Sequence, residues 1–234
     1  MWTAWGSPAP YAAAVHAVGG TLLHTVGSLD EARTAVAEGA DVLVAQGAEA
    51  GGHVRGRLLA RELLRQLRDA LPSVVAGGDA AVLGTRFQCS PEADVSPLYR
   101  QAVLAAGPGD TVLAELFDKG WPGALHRVLR NSTVRMWAAA GCPPPGSRPG
   151  ERDMVAHRGG GTPVERYADV IPIGEIIGDL EAFALYAGEP PRSSRTFSQR
   201  PTLSIGSFRA PLTYSAPAKA ARSCSYDAPA TAPR

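Results

Sequence analysis

No charge of one sign dominates this chain: its 234 residues carry a formal net charge of +1 at pH 7. Without a global field there is nothing to draw in nucleic acid or an anionic membrane surface, so neither is expected as a partner. No apolar run approaches the roughly 18 residues that a membrane-spanning helix needs. Met1-Trp2-Thr3 has neither a basic start nor a following apolar stretch, so no secretory signal is visible. There are 3 cysteines, Cys89, Cys142 and Cys224, odd in number and far apart, which fits neither a disulfide framework nor a metal cage. The expected setting is therefore reducing and cytoplasmic, with no metal site. Aromatic residues amount to only 6%, against 26 Gly and 20 Pro, a balance that favours loops.

What the chain does have is 45% apolar residues, enough for one large domain or one medium domain with tails. From residue 7 to about residue 87, helix and strand signals alternate. Ser7-Pro8 reads as a helix start and Gly19-Gly20 as its end. Thr21 to Val26 is a short strand, nearly all apolar. Ser28 and Glu31 have the spacing of a capping box, in which each side chain satisfies an amide that the helix start leaves free. Ala32, Ala35 and Val36 give that helix a buried face, and Gly39 suits its left-handed end. Asp41 to Gln46 is the next strand. Leu59, Leu63, Leu64, Leu67 and Leu71 form a helical stripe, ended by Pro72, and Val74-Val75 opens a third strand. Strands apolar on both faces, alternating with helices, predict a parallel sheet and an α/β fold.

Beyond residue 88 the signals weaken. Helices are expected from Ser96-Pro97 to Ala106 and from Glu175 to Tyr186, with coil at Cys142-Pro143-Pro144-Pro145-Gly146 and Gly159-Gly160-Gly161. Residues 189–234 are rich in Pro, Ser, Arg and Ala without apolar periodicity, and are expected to be a disordered tail.

Ligands of parallel α/β sheets gather at the carboxyl ends of the strands, which directs attention to AQGAEAGGHVRG, residues 45–56. Gly51-Gly52-His53 reads either as a loop whose amides approach a phosphate or flavin, with His53 as base or donor, or as a flexible loop with a surface histidine. Gln46 either meets a planar ring through its carboxamide or closes its strand as a buried amide. Glu49 reads as a solvated loop residue, His24 as a core histidine, and His16 and His126 carry no signal. Gly84-Thr85-Arg86-Phe87 follows the apolar Ala80 to Leu83 and reads as a phosphate-holding strand end or as a tight turn.

The run GADVLVAQGAEAGGHVRG, followed by VLGTRF, resembles the nitronate monooxygenase family, and so do LLHTVGSLDEARTAVAEG and PGALHRVLRN. The likeness extends in patches over roughly residues 6–187 and is strongest at 22–56 and 79–87. Enoyl reductases of the flavin-barrel type share only the E-x-G-G-H core; they also require NAD(P)H, for which no second nucleotide site is visible. The resemblance implies an FMN-dependent TIM barrel that oxidises alkyl nitronates with O2 to a carbonyl compound and nitrite. It implies that His53 is the catalytic residue and that Gln46 and Gly51 contact FMN. It further implies that Val82, Leu83, Gly84 and Thr85 lie at the phosphate end, and that Gly77 and Gly78 are remnants of a glycine site.

The family has about four β/α units ahead of the counterpart of this segment, so the resemblance implies a partial barrel, its C-terminal half, in residues 1–188. Between Val75 and Ala80 there is no room for the crossover that joins two parallel strands. A barrel of three or four strands would leave sheet edges open. A catalytically inactive barrel part that keeps a piece of the flavin-phosphate site is therefore the alternative expectation.

Overall fold

A computed structural model describes residues 1–71 and 81–190 of the chain. The elements run β1 (Trp2–Thr3), α1 (Ala9–Ala17), β2 (Leu23–Val26), α2 (Leu29–Ala37), β3 (Val42–Ala45), β4 (Gly52–His53), α3 (Ala60–Ala70), α4 (Thr85–Gln88), α5 (Pro97–Ala105), β5 (Thr111–Ala114), β6 (His126–Leu129), α6 (Ser132–Ala139), β7 (Met154–Arg158), β8 (Pro163–Glu165) and β9 (Ile176–Gly178). A 3-10 turn follows at Leu180–Ala182. The fold class is α/β, as expected.

The amino-terminal part is the parallel α/β unit. β1, β2 and β3 lie side by side and parallel, with Leu23 opposite Val42 and Val26 opposite Ala45. The Ser28 hydroxyl accepts the Glu31 amide at 3.2 Å, which is one half of the capping box. The return half differs from expectation, because the Glu31 carboxylate reaches back one residue further, to the Gly27 amide at 2.7 Å. Ala32 and Ala35 of α2 pack with Val26, Ala40, Leu63 and Leu67 into one core between the sheet and α3. Leu63 and Leu67 are fully buried, each worth about 1.5–3 kcal/mol relative to exposure. Gly39 has φ +94°, which fits its place at the end of α2.

The other two sheets are antiparallel: β4-β6-β5, in which Gly52 and His53 pair with Arg127 and His126, and β8-β7-β9. Several expectations change here. β1 carried no strand signal, since a two-residue edge strand is too short to show alternation. Residues 81–83, expected to be strand, are irregular, with Val82 and Leu83 exposed. The helix expected from Glu175 to Tyr186 is β9 and a 3-10 turn instead. Gly174 and Gly178 sit at φ +64° and +146°, and Gly178 lies so close to Ala156 that a Cβ there would come within 2.5 Å of its Cα. Helical spacing of Ile176 and Leu180 cannot form across such glycines. The expected strand at Val74-Val75, the candidate residues Gly77 and Gly78, and residues 191–234 lie outside the described residues. Among the described residues no helix is long and apolar enough to cross a membrane.

Candidate functional site

The glycine-rich loop after β3 is held tightly. Its glycines allow backbone to meet backbone: a Cβ on Gly47 would lie 2.3 Å from the Ala60 amide, and one on Gly56 would lie 2.3 Å from the Gly27 carbonyl. Gln46 pins the loop with both ends of its amide, donating to the His53 carbonyl at 3.0 Å and accepting the Arg55 amide at 2.8 Å. Glu49 does not sit free in solvent; its carboxylate accepts the Ala60 amide at 3.0 Å and so caps α3, where a negative charge is favoured. Arg55 closes the arrangement against Glu31 and places its guanidinium 4.4 Å over the Trp5 ring. Trp5 adopts φ +64°, an uncommon conformation for a bulky residue, and so turns its indole towards the loop.

That frame presents His53 to an aromatic enclosure. Its ring stacks on Trp121 at 4.5 Å, tilts against Tyr186 at 5.4 Å, and meets the edges of His126 at 5.9 Å and Trp5 at 6.5 Å. The side chain is only 17% exposed, and its Nε2 lies 3.3 Å from the Asp169 carboxylate, off the hydrogen-bonding line, leaving the nitrogen buried without a hydrogen bond. Asp169 is itself fixed: the Tyr186 hydroxyl donates to Oδ1, and its backbone amide donates to the Lys119 carbonyl at 2.9 Å. Burial and the adjacent carboxylate push the Tyr186 phenol well above its ordinary value, so it stays a donor. His126, fully buried on β6, is locked in one neutral tautomer. Its Nδ1 donates to the Ala124 carbonyl at 2.9 Å, and its Nε2 accepts the Phe117 amide at 3.1 Å. Burial holds its pKa below the ordinary imidazole value. Asp169 also lines an open cleft of about 430 Å³, with Arg158, Val170, Ile173, Glu175 and Ile176 among others.

The candidates from sequence divide between two places joined by one strap. Gly51 lies against Ala187 and Gly188, where an added Cβ would come within 2.4 Å of the Gly188 amide. Thr85 reaches the same strap, its hydroxyl accepting the Gly188 amide at 2.9 Å. Glu189 anchors the strap's end on the Glu49 carbonyl, the Gly109 amide, the Thr111 hydroxyl and Arg127. His53 touches Tyr186 at the strap's start, so all three candidates border residues 186–188. Gly84 has open space around it.

These contacts decide how far an FMN would fit. His53 is enclosed by aromatic rings with its Nε2 towards the Asp169 carboxylate at 3.3 Å, so Nδ1 is the ring nitrogen left for a polar ligand. The phosphate end does not fit in this arrangement: the Thr85 hydroxyl and the face of Gly51 are both taken by the chain's own residues 187 and 188.

Sequence reasoning missed Trp5, Trp121, His126, Asp169 and Tyr186. Only His126 left a trace, as the histidine of PGALHRVLRN; the others are distant in sequence and meet His53 through loops.

The family model described as nitronate monooxygenase matches residues 3–145. The chain belongs to that family. Nitronate monooxygenases are enzymes, and the matched stretch includes His53, Trp5, Trp121 and His126 but ends before Asp169 and Tyr186. Among curated relatives, a probable nitronate monooxygenase of Staphylococcus aureus is 27% identical over 204 residues, covering 75% of this chain and 52% of its own. A nitronate monooxygenase of Neurospora crassa is 32% identical over 151 residues, covering 52% of this chain and 40% of its own. The chain thus spans about half the length of the curated relatives it matches. Of solved structures, FabK from Thermotoga maritima superposes with a TM-score of 0.50 at 27% identity over 57% of this chain and 47% of its own. A nitroalkane oxidase from Streptomyces ansochromogenes gives 0.54 over 82% of this chain and 58% of its own, and at 24% identity it supports the fold alone.

Proposed function

We propose that residues 1–188 form part of a TIM barrel serving the FMN-dependent oxidation of alkyl nitronates by O2, giving a carbonyl compound and nitrite, in the cytoplasm. One observation carries the reading. The histidine that matches the family's active-site position is rigidly framed, mostly enclosed by aromatic rings, and faces a carboxylate through its Nε2. An imidazole so placed is suited to take the α-proton of a neutral nitroalkane, giving the nitronate that is then oxidised, and the rings around it exclude water. Gln46 supports this chemistry indirectly, since both ends of its amide hold the backbone that carries His53. Val82, Leu83, Gly84 and Thr85 remain the proposed phosphate-end residues, and Gly51 a proposed flavin contact. The use of Gly51 and Thr85 requires Ala187 and Gly188 to leave the positions they now fill.

That requirement also favours the second reading, a barrel part without catalysis, and one pair of measurements separates the two. Purified protein is titrated with FMN by fluorescence and assayed in air for nitrite released from a nitronate. Saturable quenching together with nitrite release supports the first reading, and His53→Ala then lowers turnover of the neutral nitroalkane about 10²–10⁴-fold with FMN still bound. Protein that neither binds FMN nor releases nitrite establishes the second.

A further inference from the structure

Asp169 is the one carboxylate in contact with the His53 ring among the described ion pairs. It comes from the loop after β8, beyond the stretch that matches the family. We propose that Asp169 is the positioning residue of His53: its Oδ2 accepts a hydrogen bond from Nε2–H, fixes that tautomer, and leaves Nδ1 as the basic nitrogen.

The geometry supports each part. Tyr186 donates to Oδ1, so the carboxylate is turned with Oδ2 towards the imidazole, at 3.3 Å from Nε2. The amide of Asp169 is tied to the Lys119 carbonyl, and Ala168 forms a bridge with Lys119, so its backbone is held at the edge of the enclosure. Tyr186 is held in turn, because the Tyr99 hydroxyl donates to its carbonyl and its backbone bridges to Val128. The Nε2 atom has no other partner. A small rotation of the ring brings N–H onto the carboxylate, and hydrogen bonds of this kind commonly tighten when ligand arrives. In the step this serves, the Cα–H bond of a nitroalkane-like substrate breaks. Its proton goes to Nδ1, and its electron pair delocalises into the nitro group as a nitronate. The resulting imidazolium then lies against a carboxylate that stabilises it.

This deepens the reading of His53 as a base, and its test is independent of flavin binding and turnover. The His53 ring is titrated by nitrogen-15 NMR in the full chain. The titratable and charged groups facing it are Asp169, His126 and Tyr186, with Arg55 behind Trp5. In the parent, Nε2 carries the proton in the neutral form. In Asp169→Asn the His53 midpoint falls by roughly one pH unit, a tenfold loss of proton affinity, with the spectrum otherwise preserved. An unchanged midpoint, or a parent ring protonated at Nδ1, overturns the proposal. If Asp169→Asn does not fold, His53→Gln reads the same coupling from the other side. The Asp169 carboxyl carbon then titrates at a higher pH than in the parent, and an equal midpoint overturns the pairing. Coupling without nitrite release would remove the proposed activity and leave the pair standing; release without coupling would do the reverse.

Discussion

The two ends of this molecule are held together by different means. Residues 1–71 pack small aliphatic side chains between a parallel sheet and two helices, whereas residues 107–190 add to their apolar clusters buried polar groups that reach across long stretches of chain. Of the buried polar residues, His24 and Thr25 belong to the first part; Thr111, His126, Asn131, Thr133 and Arg148 belong to the second. Asn131 donates to the Phe183 carbonyl and Thr133 to the Ala182 carbonyl at 2.9 Å. Apolar periodicity organises a local α/β unit, but a fold made of antiparallel sheets and loops needs specific partners for its buried donors and acceptors.

Substitutions should expose this difference. The largest effect is expected at Arg148, which is 5% exposed and grips Asp118 through two nitrogens at 2.8 and 2.6 Å while capping the Leu116 carbonyl. Arg148→Ala leaves the Asp118 charge without its partner and should cost about 3–5 kcal/mol, read as a lower urea midpoint. Next comes Leu63→Ala in the aliphatic core, at about 2–5 kcal/mol, the exact figure depending on how far α3 can settle onto the sheet. If Leu63→Ala proved much the costlier of the two, the added weight of buried polar contacts in the second part would fail. Ser28→Ala should be the mildest, about 1 kcal/mol, since it removes one cap hydrogen bond from α2. Hydrogen exchange sharpens the comparison, because this last change should speed exchange at the start of α2 and leave the amides of β5 and β6 unaffected.

The same contrast explains what was legible in the sequence. The strand around Leu23–Val26, the cap at Ser28, the apolar stripe through Leu63 and Leu67 and the left-handed Gly39 all followed from periodicity and local capping rules, which act over a few residues. The helix start at Ser96-Pro97 was found in the same way, and the Ser96 hydroxyl accepts the Tyr99 amide at 3.1 Å. The helix expected at Glu175 to Tyr186 failed because Gly178 packs directly against the backbone of Ala156, which spacing alone does not reveal. His53 and Thr85 were picked out by resemblance, and both border the same strap. Asp169 and Tyr186 were invisible, because loop residues brought together over more than a hundred positions have no periodic signature.

The Gly27–Gly56 contact has a practical consequence for anyone reshaping this protein. Two backbones touching face to face leave no tolerance for a side chain at either position, so diversity introduced into the glycine loop would mostly produce misfolded variants. The indoles of Trp5 and Trp121, which lean on the imidazole from the outside, are the adjustable walls, and a library aimed at new molecules should begin there.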